Sequence, residues 1–161
     1  MGIALLSAER SKDPSTQVGA CIASKNNKIV GVGYNGFPVS KDCFQFGSLN
    51  VRMDPDEILP WVRETENNDL GSKYLYVVHA EINAIMNSIK DLKGCRLYVT
   101  LFPCNECAKV IIQSGIEEII FLTYGEKEDT ISVRASKLLL ETCGIHFRKY
   151  SSKNKKYKIL L

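Results

Sequence analysis

Two short segments constrain this chain more than anything else in it: His79-Ala80-Glu81-Ile82-Asn83 and Pro103-Cys104-Asn105-Glu106-Cys107. Together they offer one imidazole, two thiols and a carboxylate set apart from them, a set that is useful only if the fold brings both segments to one cavity. His79, Cys104 and Cys107 make three metal ligands. A structural zinc site is normally closed by four, whereas a catalytic one leaves its fourth position to water. Thiolates and imidazole suit Zn2+, and the neighbouring sequence offers no fourth ligand. One catalytic zinc per chain is therefore expected, with Glu81 left free to move protons.

The local sequence explains the spacing. His79 closes the apolar stretch Tyr76-Val77-Val78, and the helix-compatible run from Ala80 to Met86 follows, which puts the imidazole at a helix start and Glu81 in the first turn. Pro103 suits the first turn of a second helix over 104–114, and Cys107 follows Cys104 at i,i+3, so both sulfurs share a face. Helix N-termini also favour thiolates. Two thiolates and a neutral imidazole leave the site formally neutral, so its water is acidified less than at an all-histidine site and the proton work falls to Glu81. That carboxylate can take the water's proton, carry it to a ring nitrogen and later help protonate departing ammonia. A Cys-x-x-Cys can instead be a structural half-site or a redox pair, and a His before a helix can be a core or capping residue. Neither alternative accounts for Glu81 two residues after the His, or for the proline ahead of Cys104. The arrangement matches the signature of the zinc nucleobase deaminases.

Composition matters here for what it excludes. A length of 161 residues fits one domain, 1–161, with room for a core. A formal charge of +3 is too small to imply nucleic acid, and the one dense basic cluster, Lys153 to Lys158, reads as a solvated turn or edge strand. No apolar run reaches membrane-span length and the N-terminus lacks the features of a signal peptide, so no membrane partner and a cytoplasmic location are expected. With two of six cysteines assigned to metal, Cys21, Cys95 and Cys143 are expected to be inert core thiols.

In chain order, Ile3 to Arg10 reads as a short helix, Asp13-Pro14-Ser15-Thr16 as a turn, and 18–23 with 29–34 as a hairpin. The 43 residues from Gly36 to Val78 lack strong periodicity and suggest a lid or interface region, with a short helix over 56–65. Strands follow at 95–101 and 119–122, a helix at 133–143, a strand at 145–148 and a last one at 157–161, with Gly115 and Gly144 closing helices. A hairpin followed by alternating strands and helices predicts an α/β fold: a three-layer α/β/α sandwich with a mixed central sheet, antiparallel first and parallel later. The site is expected at strand carboxyl ends, where the motif helices begin.

Beyond these readings, the chain resembles the deoxycytidylate deaminase family of the cytidine deaminase-like superfamily. The resemblance runs through Leu6 to Pro14, Gln17 to Ile22, Gly33 to Pro38, Leu59-Pro60-Trp61, His79 to Asn87, Leu101 to Lys109 and Gly144 to Lys149. It implies hydrolytic deamination of 2'-deoxycytidine 5'-monophosphate (dCMP) to 2'-deoxyuridine 5'-monophosphate (dUMP), in the supply of thymidine triphosphate precursor. It further implies a homo-oligomer, hexameric in that family, activated by deoxycytidine triphosphate, inhibited by thymidine triphosphate, with Mg2+ accompanying a triphosphate effector. Asn35 matches the asparagine that hydrogen-bonds the sugar in relatives. Arg10 and Lys12 are the candidates for the 5'-phosphate, because a doubly charged group needs cations and arginine can bind it bidentately.

Two departures from the family pattern carry expectations. Fewer residues precede Ala8-Glu9-Arg10 than in relatives, which implies a shortened first helix with consequences for packing or assembly. The stretch Phe44 to Met53 looks inserted and is expected to weaken effector response while leaving the zinc site intact. Cys43 has no His or Cys company there, so no second, structural zinc is expected. The rival readings are a polynucleotide deaminase acting on tRNA adenosine or single-stranded cytosine, and an inactive regulatory homologue that keeps the fold.

Overall fold

A computed structural model describes residues 1–39, 54–63 and 70–152. The apparent insertion 44–53, Cys43, the lysine cluster 153–158 and the expected last strand 157–161 lie outside the described residues.

The chain runs α1 (Gly2–Ala8), β1 (Gly19–Ala23), β2 (Ile29–Tyr34), α2 (Pro55–Ile58), a 3-10 turn (Lys73–Leu75), α3 (Ala80–Met86), β3 (Arg96–Leu101), α4 (Asn105–Gln113), β4 (Glu118–Thr123), a second 3-10 turn (Gly125–Lys127), α5 (Ile131–Thr142) and β5 (His146–Lys149). The sheet order is β2-β1-β3-β4-β5. β1 pairs antiparallel with both β2 and β3, while β3, β4 and β5 are parallel. The mixed sheet therefore has the expected sense: a hairpin feeding βα units.

Register shows which residues share a face. Ala20, Val99 and Phe121 are in line across the sheet, as are Ile22, Leu97 and Ile119. These six are 0–2% exposed and pack with Ala80, Ala84, Ala108, Ile111, Val133 and Leu140 of α3, α4 and α5. Fully burying one such aliphatic side chain contributes about 1.5–3 kcal/mol, so this interface is the main source of stability. Gly33 pairs with Ala20 and so lies on this face; a Cβ there would collide with the backbone of Ala84 and Ala80, which shows how closely α3 lies on β2. On the opposite face, a Cβ at Gly19 would meet the backbone of Ala4 and Ala8, so α1 forms the third layer. Ile120, fully buried between Ile119 and Phe121, makes β4 a continuous apolar run, as a parallel strand covered on both faces requires.

Three expectations change. The helix expected over 56–65 stops at Ile58, because Leu59 precedes Pro60 and turns extended with ψ 142°. The second motif helix begins at Asn105, not Cys104. Cys104 is its N-cap, its sulfur facing the Cys107 N–H at 3.5 Å, and Pro103 lies ahead of the cap instead of in the first turn. Cys21 and Cys95 are buried, but Cys143 is exposed. It continues the 133, 136, 140 stripe in sequence, yet α5 ends at Thr142 and Cys143 leaves the helix as its C-cap.

Candidate active site

The cavity opens where the strands deliver their ends. β3 passes through Phe102 and Pro103 directly into Cys104, β2 passes into Asn35, and β1 begins just after Val18. Its volume is about 280 Å3, close to the lower bound for small-molecule sites.

His79 is the N-cap of α3, with φ −71° and ψ 153°. The segment before it is held by a two-way bridge: Gly36 N–H donates to Val78 O at 3.1 Å and Val78 N–H donates to Gly36 O at 2.9 Å. Asn83 Nδ2 donates to Tyr34 O at 2.8 Å and ties α3 to the end of β2. The result is an imidazole whose Nδ1 lies 3.2 Å from Cys107 Sγ and 3.4 Å from Cys104 Sγ. All three ligand atoms fall within 4.8 Å of one another. Among the described residues no other His, Cys and acid group has this spacing. One nitrogen facing two sulfurs at such separations is the donor set of a tetrahedral Zn2+ site, with Zn–N about 2.0–2.1 Å and Zn–S about 2.3 Å.

The two thiols differ in their electrostatics. The Cys104 thiol is pulled down to about 4, first by its hydrogen bond with Cys107 and then by His79 and the Cys107 N–H. Cys107 is pushed well above the ordinary thiol value by the same sulfur pair and by burial. Glu81, in the first turn of α3, is 4% exposed. Burial pushes its carboxyl up, and the nearby His79 and its own backbone N–H pull partly the other way.

Around this set stand groups that sequence reasoning did not assign. Asp13 and Lys73 form a buried pair, 3% and 4% exposed, with Lys73 Nζ at 2.8 and 2.6 Å from the two carboxylate oxygens. Asp13 Oδ1 also accepts from the N–H groups of Ser15 and Thr16, and Oδ2 accepts from Asn35 Nδ2. Asn35 lines the cavity but is heavily engaged: Oδ1 accepts from Val18 N–H at 2.8 Å, and Nδ2 also donates to Thr16 O at 3.0 Å. The Asp-Pro-Ser-Thr turn was legible, since a side chain that binds its own backbone two residues on is what Asp does in turns. Its partner sixty positions away was not. Thr130, the N-cap of α5, and Tyr124 complete the wall near Phe102.

Arg10 and Lys12 are not brought to this cavity. They line a neighbouring depression with Tyr34, Phe37, Asp54 and Asp56, and Asn35 is the wall the two spaces share. Lys12 Nζ is engaged there by Asp54 at 3.0 Å and Asp56 at 2.6 Å. Their carboxylates raise the Lys12 pKa.

Residues 1–123 match the family of cytidine and deoxycytidylate deaminase zinc-binding regions. The deoxycytidylate deaminase of Mus musculus is 52% identical over 99% of this chain and 82% of its own length, and that of Homo sapiens 51% identical over the same shares. The dCMP deaminase of the cyanophage S-TIM5, solved in complex with dCMP and dUMP, superposes with a TM-score of 0.64 at 26% identity, covering 91% of this chain and 90% of that one. A mixed sheet whose strand ends gather a His/Cys/Cys set beside a separate buried carboxylate defines a zinc-binding nucleobase deaminase. Within that class, the chain belongs to the deoxycytidylate deaminase family.

Proposed function

We propose that the protein hydrolyses dCMP to dUMP and ammonia, with zinc held by His79 Nδ1, Cys104 Sγ and Cys107 Sγ. The observation that carries this reading is the approach of those three atoms to within 4.8 Å beside Glu81, in a cavity of about 280 Å3. Zinc on three ligands supplies a Lewis-acid position at which water becomes nucleophilic near neutral pH.

The chain's own residues do the rest. The Gly36–Val78 bridge holds the backbone from which His79 projects, and the Nδ1 of its ring faces both sulfurs. Glu81 takes one proton from the attacking water and hands it to the ring nitrogen, then takes the second from the hydroxyl now bonded to the ring carbon and delivers it to the amine, so that the C=O forms as the C–N bond breaks and ammonia leaves. Its burial suits that cycle, because a carboxylate stripped of solvent binds a proton more readily. Phe102, Leu101, Val133 and Tyr124 give the cavity an apolar side against which a pyrimidine can lie out of water. Asn35 fixes the turn that shapes the opposite side and is the candidate for contact with the sugar.

Chain length supports one domain over 1–161, and the family resemblance adds further parts to the proposal: a homo-oligomer, activation by deoxycytidine triphosphate and inhibition by thymidine triphosphate, with Mg2+ brought by the triphosphate. A cytoplasmic location and a part in deoxynucleotide synthesis complete the proposal. The test is ammonia release across cytidine, its mono- and triphosphates, their deoxy forms and a single-stranded oligonucleotide. Highest kcat/KM on dCMP is expected. Preference for the oligonucleotide would replace this reading with polynucleotide deamination.

A further inference from the structure

The proposed substrate carries a dianionic phosphate, and with its pyrimidine over the metal set the cations that line the same cavity are those nearest at hand for it. Two cations other than the His79 ligand line it, Arg63 and Lys73. Lys73 is already neutralised: both carboxylate oxygens of Asp13 contact it in a buried pair. Arg63 is different. Its Nη2 donates to Thr16 Oγ1 at 2.7 Å, and among the described residues it forms no ion pair. A guanidinium has five N–H donors in a fixed fork, so one bond to a neutral hydroxyl leaves most of the fork for an anion.

The guanidinium is also placed by its surroundings. The backbone at Val62 and Arg63 is stitched to the 3-10 turn that leads to His79, through Lys73 N–H to Val62 O at 2.8 Å and Ser72 Oγ to Arg63 O at 2.8 Å. Thr16, at the other end of the Arg63 bond, is held by Asp13 and Asn35. We propose that Arg63, positioned by Thr16, recognises the 5'-phosphate of the nucleotide and sets the preference for nucleotide over nucleoside. On this assignment Arg10 and Lys12, which face the neighbouring depression, do not take that role. The inference rests on the dCMP reading above and deepens it.

Steady-state kinetics of Arg63→Ala and Arg63→Lys on dCMP and on deoxycytidine, with dUMP and deoxyuridine as product inhibitors, tests it. Hydrogen bonds to charged groups support an expected fall in kcat/KM on dCMP of about 10- to 100-fold for Arg63→Ala. The dUMP inhibition constant should rise by a similar factor, while deoxycytidine turnover and deoxyuridine inhibition stay within threefold. Arg63→Lys should fall between, since it keeps the charge and loses the fork. A loss of the same size on dCMP and deoxycytidine would make Arg63 structural and overturn the inference. So would an Arg63→Ala enzyme with unchanged nucleotide preference, or one in which Arg10→Ala abolishes that preference instead. Wild-type protein that releases no ammonia from dCMP overturns the substrate reading itself, a result distinct from any of these.

Discussion

The cavity of the metal set and the depression beside it share Asn35 as a wall, yet they are built on opposite plans. On one side the functional groups sit at the starts of α3 and α4, on backbone held by the sheet, and the charges there are buried or nearly so: Glu81, Asp13 and Lys73 are each at most 4% exposed. On the other side Lys12, Asp54 and Asp56 meet as solvent-facing ion pairs on a four-residue helix, with Lys12 59% exposed. Coulomb attraction is strong and costly to disturb where water is excluded, and weak where water screens it. The first plan fixes geometry for chemistry. The second can rearrange at little cost.

If that contrast holds, substitutions should grade in effect with burial and with contact to the reaction. The largest loss is expected from Glu81→Gln: turnover should drop by at least about 10²–10⁴-fold, the range for a single acid/base group, with zinc content and fold intact by metal analysis and circular dichroism. Lys73→Met leaves the Asp13 carboxylate buried without its cation. Removing one partner of a buried pair costs about 3–5 kcal/mol, which denaturant unfolding would read, and an unchanged midpoint would break the comparison. Gly33→Ala pushes a methyl into the backbone of α3; overpacking of this kind costs about 1–3 kcal/mol, and because α3 carries Glu81 the variant should also turn over more slowly. At the small end, Asp54→Asn keeps an N-cap residue type for α2 while removing one charge beside Lys12. Its thermal midpoint and its kcat/KM on dCMP in the absence of effector should match wild type within error, and a clear loss would show that the exposed pairs matter more than their setting suggests.

What could be read from sequence divides along the same line. His79, Glu81, Cys104 and Cys107 were legible because their relation is local: a helix start carries two of them, an i,i+3 pair the others, and the 3.6-residue period does the aiming. The mixed sheet was legible for a related reason, since a hairpin followed by βα alternation admits few topologies. The cap at Cys104 shifted a boundary by one residue, because its sulfur accepts the otherwise unpartnered Cys107 N–H as an N-cap side chain does while its own backbone stays extended. Cys143 went astray because periodicity continues on paper after a helix has ended in space. Asp13 with Lys73, Lys12 with Asp54 and Asp56, and the place of Arg63 depend on how a long segment between β2 and α3 returns to the sheet. No local pattern encodes that return, so the cations were assigned to the motif nearest in sequence, and the structure puts that motif in the other space.

The central claim is that one zinc on His79, Cys104 and Cys107, served by Glu81, performs the hydrolysis. Protein stripped of metal and titrated with Zn2+ while ammonia release from dCMP is followed tests it most directly. Activity should be absent in the stripped protein, rise linearly and level off at one zinc per chain. Full ammonia release from zinc-free protein would contradict the account.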